Sequence, residues 1–179
     1  PVWSPDGGQV AYQDYREGFL QLFIAERDGS FVQQVNRDVR YTERSPAWSP
    51  DSERLAFVSE RDGNAEIYVI DRNGNNAQRL TINESNDVAP IWSPDGDNLL
   101  FLSDRRYLFG EFYIVDMRAD MPDPLALDVI AIVASPPRWS PDGDRLVFIS
   151  GEDGELYTVR TTGGGLRQLT NERASHRLP

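Results

Sequence analysis

Pro46-Ala47-Trp48-Ser49-Pro50-Asp51-Ser52 is written four times, with small changes, in this chain of 179 residues. The other copies are Pro1-Val2-Trp3-Ser4-Pro5-Asp6-Gly7, Pro90-Ile91-Trp92-Ser93-Pro94-Asp95-Gly96 and Pro137-Arg138-Trp139-Ser140-Pro141-Asp142-Gly143. Their tryptophans lie 45, 44 and 47 residues apart. A unit of this size cannot bury its apolar faces alone and must stack on its neighbours, so the repeat decides the fold.

Read outward from the second copy, the unit resolves into four strands. Ala47-Trp48-Ser49 is a short innermost strand, and Pro50-Asp51-Ser52 turns the chain, because Pro presets φ and Asp accepts local backbone hydrogen bonds. Residues 54–59 form the second strand, 66–71 the third and 78–81 the fourth, separated by turns at Arg61-Asp62-Gly63-Asn64 and Arg72-Asn73-Gly74-Asn75. Four strands in this period make one propeller blade. An aromatic follows each Trp by nine residues (Tyr12, Phe57, Phe101, Phe148), and the third strands carry Phe23, Tyr68, Tyr113 and Tyr157. Strands apolar on both faces suit a sheet held between two others, so the tryptophans and these aromatics are assigned to the core. The expected fold is an all-β propeller of four tandem four-stranded antiparallel blades, at about 1–45, 46–89, 90–136 and 137–179.

Composition removes several function classes. The formal charge is -11, from 29 acidic and 18 basic residues, which argues against nucleic acid and anionic lipid as partners. All the basic residues are Arg, so a lysine base, Schiff-base lysine or phosphate-loop lysine is impossible; without Cys there is no thiol nucleophile or Cys-ligated zinc. The longest apolar run, 129–134, is far short of the about eighteen residues of a membrane helix. The single His176 lies near the end of the chain with no Gly-x-Ser-x-Gly elbow, and Gly163-Gly164-Gly165 reads as a hairpin. Asp and Glu pairs recur at equivalent turns and read as solvated turn chemistry, not as an acid–base couple. No catalytic residue, metal site or cofactor is assigned.

Trp-Ser-Pro-Asp-Gly, a Leu-x-Phe strand ending in Ser, then Glu60-Arg61-Asp62-Gly63-Asn64-Ala65-Glu66-Ile67-Tyr68-Val69-Ile70-Asp71 and Arg79-Leu80-Thr81 together resemble the WD-type repeats of TolB-like β-propellers. The resemblance covers all four units. Unit one departs from it at Gln34-Val35-Asn36, and unit three has a rewritten outer hairpin. It implies blades round a central channel and a non-catalytic scaffold for protein–protein binding, periplasmic or otherwise extracytoplasmic. TolB itself docks a peptidoglycan-associated lipoprotein. The other implied reading is the substrate-gating propeller of a prolyl-oligopeptidase-type serine peptidase whose catalytic domain lies elsewhere. The chain starts in mid-motif, and Pro179 aligns with the opening of a fifth unit, so a segment of a larger ring is expected. A closed four-bladed ring, or two chains closing an eight-bladed one, are the alternatives, and an unclosed array is expected to self-associate.

The turns between second and third strands share one rim with the links between blades. There unit three replaces a hydrophilic turn by Arg105-Arg106-Tyr107-Leu108-Phe109-Gly110 and carries an apolar link, 128–137, while unit one offers Tyr15 and Phe19. Apolar and aromatic side chains gathered on a rim are suited to a protein or peptide partner. Tyr15, Arg106, Tyr107, Leu108 and Phe109 are therefore the candidate contacts, with folding back onto a neighbouring blade as the blander role. Three residues before the opening prolines stand Glu43, Asp87, Ala134 and His176. Glu43 and Asp87 are candidates for a polar ring or a cation at the channel mouth, against the simpler role of capping local backbone amides.

Overall fold

In the computed structural model, alternation along each strand is what stacks the sheets. Described are residues 1–35, 40–107, 110–119, 123–130 and 136–171. Sheet one orders β1 (Val2–Trp3), β2 (Gln9–Arg16), β3 (Phe19–Glu26) and β4 (Val32–Gln34); sheet two orders β5 (Glu43–Trp48), β6 (Arg54–Ser59), β7 (Glu66–Asp71) and β8 (Gln78–Arg79). Sheet three runs β9 (Asp87–Trp92), β10 (Asn98–Ser103), β11 (Glu111–Asp116) and β12 (Leu125–Ile130), and sheet four β13 (Arg138–Trp139), β14 (Arg145–Ile149), β15 (Leu156–Arg160) and β16 (Arg167–Gln168). Every pairing is antiparallel, and the fold is an all-β propeller built of four-stranded sheets. No helix of the described residues is long and apolar enough to cross a membrane.

Period-two alternation sends successive side chains to opposite faces. In sheet two, Leu55, Phe57, Tyr68 and Ile70 pack with Ala11, Leu22 and Ile24 of sheet one, while Ala56, Val58, Ile67 and Val69 pack with Trp92, Leu99, Phe101 and Tyr113 of sheet three. The opposite face of sheet three places Leu100, Phe112 and Ile114 against Leu146, Phe148 and Val159. The aromatics spaced by sequence turn out to be direct cross-strand partners: Phe57 faces Tyr68, Phe101 faces Tyr113 and Phe148 faces Tyr157, stacked at 5.8, 5.7 and 5.9 Å.

The repeated motif has a job for each residue. The Ser hydroxyl donates to the Asp two residues on (Ser4 to Asp6, 2.6 Å; Ser49 to Asp51, Ser93 to Asp95 and Ser140 to Asp142, each 2.5 Å), and it accepts the N–H that opens the second strand. Each carboxylate thereby sits below its ordinary pKa, with the Ser hydroxyl the largest cause; Asp6 falls to about 2. The Trp indole reaches the preceding sheet: Nε1 of Trp48, Trp92 and Trp139 donates to the carbonyls of Val2, Ala47 and Ile91 at 3.3, 3.0 and 3.3 Å. Each acceptor is the residue before the previous Trp, so the indoles form a relay round the inner edge. Trp3 corrects the expectation of uniform burial, being 61% exposed on the outward face of sheet one.

Two further departures have local causes. The innermost strand is longer than Ala47-Trp48-Ser49: β5 and β9 start at Glu43 and Asp87 and carry a bulge. Ser45 (φ 56°) and Ala89 (φ 55°), both before Pro, take left-handed backbone there. In unit four the matching position is Pro136, whose ring fixes φ near about -65°, and β13 begins only at Arg138. Ser52 occupies the turn position held elsewhere by Gly, also at positive φ (65°), and its hydroxyl accepts the Asp6 N–H of the neighbouring sheet at 3.0 Å.

Candidate functional site

On one rim the second-to-third-strand turn of unit two meets the following inter-blade link, and polar side chains fasten the two. In unit two the Asn64 amide donates to the carbonyls of Asn83 (3.2 Å) and Ser85 (2.5 Å). Fully buried Glu66 accepts from the Thr81 hydroxyl, the Asn83 N–H (3.0 Å) and Arg79 (3.0 Å). In unit one Gln21 takes the place of Glu66 and donates to Tyr41 O at 2.6 Å.

Glu43 and Asp87 lie in this fastening layer and are fully buried. Arg61 donates to Glu43 at 2.5 Å; Arg105 donates to the two Asp87 oxygens at 3.0 and 2.8 Å. The same guanidinium groups bond the strand-ending hydroxyls of Ser59 and Ser103 (2.9 and 2.8 Å) and lie 4.3 and 4.4 Å from the Tyr68 and Tyr113 ring centroids. In units two and three a hydrogen-bonded ion pair stacked on an aromatic thus occupies this position. Sequence reasoning missed Arg61 and Arg105, although a signal was present. Ser-x-Arg accompanies the acid in units two and three, whereas unit four has Ala134 with Ser150-Gly151-Glu152. Asp87 also accepts from the Asn83 amide at 2.7 Å, which ties up the amide nitrogen of the Asn83-Glu84-Ser85 sequon. Tyr68 donates to Asp62, and burial, reinforced by that carboxylate, pushes the phenol up to about 12.

Above this layer stand the exposed candidates. The β2–β3 hairpin is two residues longer in each strand than its counterpart in sheet two, and turns through Glu17 (φ 51°) and Gly18 (φ 92°). It lifts Tyr15 to 72% exposure and leaves Phe19 exposed. Arg16 beside them pairs with Asp14 at 2.7 Å. Tyr107 is 40% exposed, with Arg106 over its ring at 5.7 Å; Arg106 also reaches Asp128 (2.9 Å) and Glu111 (3.3 Å). Leu108, Phe109, Ala134 and His176 lie outside the described residues, as do residues 131–135 of the apolar link of unit three. Among the described residues no group of three or more His, Asp or Glu side chains is arranged to hold a metal ion.

No curated protein matches the chain. Among solved structures it is similar to TolB from Acinetobacter baumannii, with a TM-score of 0.74 and 27% identity over 93% of this chain and 42% of that one. A putative TolB from Agrobacterium tumefaciens gives 0.73 and 24%, over 94% and 63%. A puromycin-hydrolyzing peptidase from Mycobacterium tuberculosis gives 0.72 and 22%, over 98% and 29%, a likeness of fold alone. The chain thus spans less than two thirds of each of these proteins. The family model for the TolB beta propeller domain matches residues 1–177, and the chain belongs to that family.

Proposed function

We propose that this propeller is a non-catalytic scaffold of the cell envelope, and that it engages a protein partner through the rim carrying Tyr15, Phe19, Arg106 and Tyr107. The observation that carries the reading is the lengthened β2–β3 hairpin, which holds two aromatics in water where sheet two has a short polar turn. Exposed Tyr and Phe supply large contact area with few rotors to freeze, and Arg is enriched at interfaces. The ion-paired layer beneath them keeps the rim fixed before a partner arrives, which lowers the ordering cost of association. The TolB membership supports both the binding role and a location outside the cytoplasm.

The test uses a purified peptidoglycan-associated lipoprotein as the titrant, in calorimetry with this chain and with its Tyr15→Ser/Tyr107→Ser variant. Both tyrosines are exposed, so the melting temperature is expected to hold while affinity drops about tenfold or more. Unchanged affinity in the variant would remove the rim from the interface. The likeness to the puromycin-hydrolyzing peptidase supports a second reading, a propeller that screens substrates for a separate catalytic domain. In that case the lipoprotein would not bind at all.

A further inference from the structure

The opposite rim, where the Pro-Asp turns lie, holds a cleft of about 470 Å³ between the outer parts of sheets one and two. Its walls include Gln9, Glu26 and Phe31 from sheet one and Glu53, Arg72 and Asn73 from sheet two. The charges do not balance. Arg72 is shared between Asp6 (3.2 Å) and Glu53 (3.4 Å), whereas Glu26 has no cation among the described residues. Its neighbour across the strand pair, Gln9, donates Nε2 to it at 2.8 Å and leaves its own buried Oε1 without a donor. The cleft's two carboxylates, Glu26 and Glu53, thus have one guanidinium that is also engaged by Asp6 outside it, and an orphaned buried acceptor lies beside the carboxylate that lacks a cation. An interior acceptor in this position calls for a partner that brings N–H groups. Phe31, 57% exposed, stands at the same cleft and offers a ring face to a cation.

We propose that this cleft receives an arginine side chain presented by an extended segment of a protein partner. A guanidinium fits the donor deficit better than an ammonium, because its planar fork can serve Glu26 in two places while its face lies on Phe31. A peptide, in preference to a free small cation, follows from the surroundings. The cleft continues into a second hollow of about 450 Å³ along β4, sharing Phe31, Gln33 and Asn73 with it and adding Asn75. β4 is the outermost strand of its sheet, so its outer edge offers main-chain donors and acceptors to a strand laid beside it. This surface is separate from the aromatic rim and does not depend on it.

The probe is a fluorescein-labelled Ac-Gly-Val-Arg-Val-Gly-amide, followed by anisotropy at low and physiological salt, with a citrulline version that keeps the shape without the charge. Glu26→Gln is expected to weaken binding about tenfold, and Phe31→Ala about threefold to tenfold. Asp144→Asn, a rim carboxylate of sheet four outside the cleft, is expected to change it less than about twofold. Phe31 is exposed, so its variant remains informative even where Glu26→Gln perturbs folding. Equal affinity for the citrulline peptide, equal losses in Glu26→Gln and Asp144→Asn, or no saturable binding at all would each overturn the proposal. The first would mean a shape-only contact, the second unspecific attraction to an acidic protein, the third a cleft filled by solvent.

Discussion

Replacing Arg105 with Leu is expected to destabilise the protein by about 3–5 kcal/mol, the range for stranding one member of a buried ion pair. The magnitude follows from the geometry. Asp87 is fully buried and takes two hydrogen bonds from one guanidinium nitrogen, so without Arg105 it keeps only the Asn83 amide against a full buried charge. The stack on Tyr113 and the bond to Ser103 are lost in the same step. The reverse substitution, Asp87→Leu, is expected to cost less. The Arg105 side chain keeps 24% of its surface in water and can swing its head outward along its apolar stem. Urea unfolding is the assay. With a slope of about 2 kcal/mol/M, the Arg105→Leu midpoint should drop by about 1.5–2.5 M. The double variant Asp87→Leu/Arg105→Leu should recover more than about 1 kcal/mol relative to the sum of the singles. A loss under about 1 kcal/mol for Arg105→Leu, or additive singles, would refute the view that this pair, not backbone capping, fastens turn to link.

Two further outcomes test the repeated turn. Because the Ser4 hydroxyl is the largest cause of the low Asp6 pKa, Ser4→Ala should bring its carboxyl midpoint, followed by carbon NMR, up from about 2 toward the ordinary value near 4. A group depressed in the folded state adds stability above its unfolded pKa and loses it as pH drops through the folded one. Acid sensitivity from Asp6 should therefore develop between about pH 4 and pH 2, that from Asp51, Asp95 and Asp142 below their ordinary carboxylate range, and an unmoved midpoint in Ser4→Ala would contradict the assignment. At Ser52, Ala keeps the strained positive φ and removes the acceptor of the Asp6 N–H, whereas Gly relieves the strain. Ser52→Ala should cost about 1 kcal/mol, and Ser52→Gly less, in thermal unfolding; the reverse order would show that relief of the positive φ is not what separates the two variants, and no loss in either would show that the cross-sheet bond contributes nothing.

The fold was open to reading because the repeat imposes the same constraint four times. Spacing alone put Phe57 and Phe101 on second strands and Tyr68 and Tyr113 on third strands, where they prove to be stacked partners, and residues 54–59 and 66–71 are the observed β6 and β7. What stayed hidden was contact between units, which no period within one unit encodes. The indole relay links each Trp to a carbonyl about 45 residues back, and a backbone acceptor leaves no trace in residue type. The extension of β5 and β9 escaped reading because it passes through left-handed Ser45 and Ala89 ahead of prolines, a conformation that local preference argues against. At the candidate site, exposed Tyr15 and Tyr107 were visible as departures from the repeat. The burial of Glu43 and Asp87 beside Arg61 and Arg105 was not legible, because a lone acid gives no sign of its Arg until both are located in space.

The acid and its Arg also explain why the rim can carry exposed aromatics. Units two and three possess both members of the pair, and unit four lacks both, with Ala134 in place of the acid and Glu152 in place of Arg. There the Ser150 hydroxyl accepts only a local N–H from Glu152, at 3.2 Å. A residue kept for solubility or for a private ligand could change in one unit without its mate; the buried acid cannot lose its Arg without being stranded as a charge in the interior. Joint presence and joint loss therefore mark Arg61 and Arg105 as fasteners between turn and link. The longest hairpin and the rewritten turn flank sheet two, in which this layer is bonded through Glu66, Thr81, Asn64 and Asn83. In the proposed rim binding, displaying Tyr15 and Tyr107 beside that base would reduce the freedom lost when a partner binds, so the stability of sheet two and the affinity of the proposed interface would rest on the same buried charges.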